Sequence, residues 1–197
     1  MPAFRTPLLA LAFATLSLPA FAATVPYEVD PRHTQVLFTY SHFGLSNITG
    51  RFGDVSGTIA FDAANPAASS VNVTIPIDSL STGVPKLDDH MKSADMFDAT
   101  QFPTATFVST SVKAAGKSQW KVAGKLTLHG VTKPVVLDAT TNFVGPHPMS
   151  KAPAAGFDAT ATIKRSDFGV DYMTPGVPDD VHIRITLEAK GPKPAAQ

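Results

Sequence analysis

Six histidines, His33, His42, His90, His129, His147 and His182, are the side chains in this sequence best suited to metal binding or proton transfer near neutral pH. A local zinc site would bring two of them together within one turn, as in H-E-x-x-H. The nearest pair here, His33 and His42, is nine residues apart, so there is no short ligand pair and any convergence is left to the fold. Asp88, Asp89, Asp95 and Asp98 lack the D-x-D-x-D-G spacing and closing Glu of a calcium loop, and they suit helix capping and solvated surface. Neither a G-x-S-x-G elbow, a Walker loop nor a dinucleotide fingerprint occurs. Gly50, Gly53 and Gly57 fall in strand-like sequence, where glycine marks a bulge or a close backbone approach rather than a phosphate cradle. The absence of cysteine removes disulfides, iron–sulfur clusters, thiolate zinc and a thiol nucleophile together. The expectation is a protein with no catalytic residue, no metal and no cofactor.

Composition narrows the partners. The 197 residues carry 16 Lys+Arg against 16 Asp+Glu, and charged residues are only 16% of the chain, so no broad basic face is available for nucleic acid. Arg5, the apolar run 8–18 and Ala20-Phe21-Ala22 form the charged region, apolar core and A-x-A site of a secretory signal peptide. Residues 1–22 are therefore expected to be cleaved and the mature chain exported to the periplasm. An 11-residue run is too short to span a bilayer, which takes about 20 residues, and no later run is longer.

The elements that would position any site are strands. Val36, Phe38 and Tyr40 alternate with Gln35, Leu37 and Thr39. The same period of two recurs in 71–78, 120–129, 135–139, 157–163 and 181–187, giving each segment one apolar face. Pro76 suggests an edge or a bulge. Short strands separated by Gly, Pro and Asn turns point to an all-β fold, an antiparallel sandwich or barrel. One helical insertion is expected over 84–97, where Leu87, Met91 and Ala94 share a face and acids lie near the start. Residues 145–156 read as a Pro-rich hairpin loop and 191–197 as a frayed tail, leaving one domain over 23–190.

Six segments in order resemble the YceI-like family of exported polyisoprenoid-binding proteins. They are His33 to Phe38 with Ser41-His42-Phe43-Gly44, Gly50 to Gly57, Asp89 to Asp98, Phe102-Pro103, Gly124 to Val135, and Arg165 to Val170. Met96 departs from the family pattern, which usually has an aromatic residue there. The resemblance implies a single lipocalin-like antiparallel barrel that holds an isoprenoid or other long apolar lipid without catalysis. The residues themselves allow either a hollow or a side-chain-filled barrel. In a hollow one the lining would be Phe38, Tyr40, Phe43, Phe52, Val73, Ile75, Leu87, Met91, Phe97, Phe107, Trp120, Leu126, Leu128 and Phe168. A polar lipid head at the mouth would want cations or hydrogen-bond donors, and His90, Lys92, Lys133 and Arg165 lie within the matched motifs. Two rival readings are an enzyme built on converging histidines and an accessory module for an envelope-stress or membrane redox system. The oligomeric state is not legible in the sequence.

Overall fold

The computed structural model describes residues 24–192. The signal segment 1–22 and the last five residues of the tail lie outside them. Among the described residues ten strands and one α-helix follow one another: β1 Val25–Val29, β2 Gln35–His42, β3 Ser46–Phe52, β4 Ser56–Phe61, β5 Ser70–Pro76, α1 Pro85–Lys92, β6 Thr104–Gly116, β7 Gln119–Leu128, β8 Val131–Pro146, β9 Pro153–Lys164 and β10 Asp180–Lys190. All pairings are antiparallel. β1, β4, β5, β6, β7, β8, β9 and β10 form a ring that closes where Val29 of β1 meets Ala189 of β10. Closure leaves these strands no free edge, which is why a barrel suits a chain with so many one-faced strands.

β10 is long enough to serve two neighbours in succession. Its second half closes the ring with β1, and its first half pairs with β2, placing Ile183 opposite Phe38. The change occurs at a single 3₁₀ turn, Pro31–His33, between β1 and β2. Asp30 fixes it: its carboxylate accepts from the Arg32 backbone N–H at 3.2 Å, and its own N–H donates to the Glu188 carbonyl at 2.8 Å. The β2–β3 hairpin therefore stands as an extension of the wall at one end of the barrel. Among the described residues its backbone pairs with the rest through β10 and a short bridge between Arg51 and Ser81. α1 fills the gap above, with Met91 buried on the core.

Several boundaries differ from the sequence pattern for local reasons. The helix ends at Lys92 rather than 97, because Ser93 turns out of it with its N–H and hydroxyl both donating to the His90 carbonyl, and Ala94 is exposed. Pro76 is the last residue of β5, where its missing donor costs the ladder nothing further. Pro146 and Pro153 still pair with each other, so the loop expected over 145–156 shrinks to 147–152. Among the described residues no helix is long and apolar enough to cross a membrane.

Candidate functional site

The barrel is hollow. A cavity of about 420 Å³, within the usual size of a ligand site, runs inside it between two differently built ends. The inward positions Val181, Ile183, Ile185 and Leu187 of β10 all line it. At about 3.3 Å per residue and a strand tilt near 40°, they span roughly 15 Å along the barrel axis.

The space comes from small residues on the inner faces. Ala139 of β8 and Ala159 and Ala161 of β9 line one side. Two glycines permit large rings to lie flat on their own wall: a Cβ on Gly50 would sit 2.3 Å from the Phe38 ring, and one on Gly124 would sit 2.4 Å from the Phe107 ring. Aromatic rings covering strand glycines stay out of the lumen. Phe38 stacks on Tyr40 and lies tilted against Phe52, and Phe52 meets Phe97 edge-on at 5.7 Å.

Thirteen of the fourteen apolar positions picked out above line this cavity. The exception is Phe168, which is only 1% exposed but lies outside both the cavity lining and the main core cluster. It packs within the 3₁₀ turn Arg165–Phe168, and its carbonyl lies 3.2 Å from His129 Nδ1. Met96, the departure from the family pattern, also lines the cavity. Beyond those fourteen, Tyr172, an aromatic that the sequence also offers as lining for a hollow barrel, lines the cavity, as do the three alanines, His42, Phe61 and Phe157. Phe157 and the alanines were visible in the period-two pattern. Phe61 follows Gly57 and Ile59 at the same spacing, a signal a shorter segment makes easy to pass over.

The mouth lies where the β2–β3 tip, α1 and the segment 165–177 meet. The Phe43 ring packs over Gly176, and His90 of α1 meets Tyr172 edge-on at 5.3 Å. His42 stands edge-on to Phe43 at 4.7 Å. Leu45 and Met173 are exposed on this rim. Polar side chains reach the cavity here from Tyr40, His42, His90, Arg165 and Tyr172. Burial pushes the Tyr40 phenol up and the Arg165 charge draws it partly back, so Tyr40 remains a neutral donor near neutral pH.

Of the four head-group candidates, the structure brings only His90 and Arg165 to the cavity. Lys92 is committed elsewhere, its Nζ donating to the Asp78 carbonyl at 2.8 Å. Lys133 shares a register with Leu126 but is exposed and lies outside the lining. Arg165 is 7% exposed, and all five of its N–H groups are used within the chain. Nε donates to the Pro178 carbonyl, Nη1 to those of Val170 and Tyr172, and Nη2 to the Val177 carbonyl and the Thr174 hydroxyl, at 2.8–3.1 Å. It shapes the segment 170–178 and lends the mouth a fixed positive charge, but has no donor left for a direct grip on a head group.

The remaining histidines have local partners. His182 Nδ1 is 3.1 Å from Thr162 Oγ1, His129 sits against Phe102, and His147 Nδ1 accepts from the Met149 and Ser150 backbone. Among the described residues, ligand-type atoms gather within reach of one ion only at Asp30, His33 and Glu188. That group is already an ion-pair cluster: the 3%-exposed Asp30 carboxylate accepts from Lys190 Nζ at 2.6 Å and lies 3.0 Å from His33 Nδ1. A metal there would have to displace the lysine.

The far end, the floor, is closed by three rings. Phe61 at the end of β4 stands edge-on to Trp120 at 5.3 Å and to Phe157 at 5.2 Å. Trp120 is anchored by its Nε1–H, which donates to Thr141 Oγ1 at 2.7 Å.

Comparison with known proteins agrees with this architecture. Residues 27–189 match the family model described as a YceI-like domain. A UPF0312 protein of Pseudomonas syringae pv. tomato is 45% identical over 181 residues, 91% of this chain and 93% of that one. The crystal structure of Burkholderia cenocepacia BcnA superposes with a TM-score of 0.74 at 31% identity, covering 82% of this chain and 99% of that one. A polyisoprenoid binding domain from Saccharophagus degradans shares the fold, with a TM-score of 0.64 at 19% identity over 85% of this chain and 99% of that one. With a barrel of this topology, a family match across nearly all the described residues and relatives this close in sequence, the chain belongs to the YceI-like family.

Proposed function

We propose that this protein is exported to the periplasm and there carries or sequesters an isoprenoid-type lipid, without catalysing its conversion. The observation that carries the reading is the cavity: deep, open at a mouth, walled by apolar side chains, and supplied there with the hydrogen-bonding side chains of Tyr40, His42, His90 and Tyr172. A prenyl tail with a polar head matches that distribution. Burial of apolar surface favours binding by about 25 cal/mol per Å², so several hundred Å² of tail supply several kcal/mol before ordering costs. The fold shared with a polyisoprenoid binding domain supports the ligand class, and the signal-peptide pattern at residues 1–22 supports export.

The test has two parts. Intact-mass measurement of periplasmic protein is expected to show a chain beginning after Ala22, and native mass spectrometry without detergent extraction is expected to show a retained lipid. Delipidated, folded protein should bind farnesyl, geranylgeranyl or longer prenyl lipids at micromolar concentration. Failure with all of them rejects the carrier reading, and turnover of a bound lipid rejects the non-catalytic one.

A further inference from the structure

We infer that the floor of the cavity is a length gauge for the bound chain and that Phe61 sets its stop. The inference rests on the carrier reading and adds which chains fill the site.

Three observations place the stop at this residue. Phe61 is the last residue of β4, opposite Val25 at the start of β1, so it lies at the end of the barrel away from the mouth. Its ring is the shared member of both floor contacts, whereas Trp120 and Phe157 each touch it from one side. The three rings also differ in how they are held. The Trp120 indole is pinned by Thr141, and Phe157 sits within the β9–β10 ladder opposite Leu187. Phe61 has no polar side-chain anchor: it ends the β1–β4 ladder opposite Val25 and is otherwise held by those two rings and by the turn that follows it. That turn is itself tied down: the Asp62 N–H donates to Ser69 Oγ at 2.9 Å, and Asp62 Oδ1 accepts from the Ala64 and Asn65 N–H groups. The backbone beside Phe61 is thus held by hydrogen bonds, and the ring lies between its two partners at this end of the lumen, with Ala60, Ser69 and Ser70 also on the wall.

A tail entering from the mouth, with its head held among Tyr40, His42 and His90, advances along the alanine-lined side until it meets this ring. Each methylene buried on the way strengthens binding by up to about fourfold, and each one that cannot pass Phe61 adds almost nothing. Affinity should therefore climb with chain length and then level off at a length fixed by Phe61 rather than by the mouth.

The experiment is a binding series of prenyl alcohols, farnesol, geranylgeraniol, solanesol and those between, on delipidated wild type, Phe61→Ala, Phe61→Leu and His90→Ala. Folding of each is checked by circular dichroism. In Phe61→Ala the levelling-off should move to longer chains, with the first prenol beyond the wild-type limit gaining about tenfold or more. Phe61→Leu, which keeps an apolar plug with less reach, should gain less in the same direction and carries the test if the alanine variant does not fold. His90→Ala should change all lengths by a similar factor and leave the limit where it was. An unchanged limit in the folded Phe61 variants, or a limit that moves in His90→Ala, overturns the inference. If wild type binds no prenol of any length, the carrier reading itself falls and the gauge with it.

Discussion

The two ends of the cavity are closed by different means. At the mouth, irregular segments cross the opening: the β2–β3 tip, α1 and residues 165–177, several of them in left-handed backbone conformations, as at Phe43 and Met173. Such segments cannot satisfy one another as ladders do, so a buried guanidinium collects four of their carbonyls. At the floor, three aromatic rings meet edge-on, beside the turn that joins β4 to β5. The difference teaches a division of labour. Polar atoms at the mouth can discriminate chemistry, because an unpaired donor or acceptor there is costly. The floor can discriminate only length, because one apolar ring treats every hydrocarbon alike.

The sharpest way to break this contrast is to remove the anchor of the floor. Trp120→Ala should cost about 3–5 kcal/mol in urea unfolding, since a buried indole and its bond to Thr141 are lost together. Trp120→Phe should recover most of that. A loss well under 2 kcal/mol for the alanine variant would mean that the floor is loosely packed. Arg165→Lys tests the mouth. Three ammonium donors cannot replace five planar ones, so stability should fall by about 2–3 kcal/mol, although the charge is kept. A near-neutral result would show that the segment 170–178 holds its shape without the guanidinium.

A smaller effect is expected from acid, at the point where β1 hands over to β2. Burial alone would raise the Asp30 carboxyl, but the contacts from Lys190, His33 and Arg32 outweigh it and hold it well below the ordinary value of 3.8. Its contribution is then fully present above pH 4 and is lost progressively as pH falls below that. Asp30→Asn should therefore narrow the gap between stabilities measured at neutral pH and near pH 3, and an unchanged gap would place the acid sensitivity elsewhere. The smallest change in stability should come from His90→Ala. This side chain is half-buried at the mouth, and unfolding should shift by no more than about 0.5 kcal/mol while affinity for a prenyl lipid with a polar head drops measurably. If affinity for headed and headless chains changes equally, the mouth does not read the head.

Much of this architecture was written in the residue order. The period of two in 35–40, 71–78, 120–129, 157–163 and 181–187 determined which side chains face inward, since neighbouring residues of a strand point to opposite faces wherever the strand goes. Those positions became the cavity wall. The absence of cysteine and the wide spacing of the histidines likewise bounded the chemistry without a structure. Periodicity could not determine whether the inner faces meet. That depended on Ala139, Ala159 and Ala161 lying on adjacent strands and on Gly50 and Gly124 lying under aromatic rings, facts of pairing between segments far apart in sequence. Nor could it distinguish Arg165, whose donors are spent on carbonyls up to 13 residues away, from a cation free to meet a ligand. Inward or outward is a local property of the backbone, whereas hollow or filled, and free or committed, are properties of what the neighbouring strand or loop brings within a few ångströms.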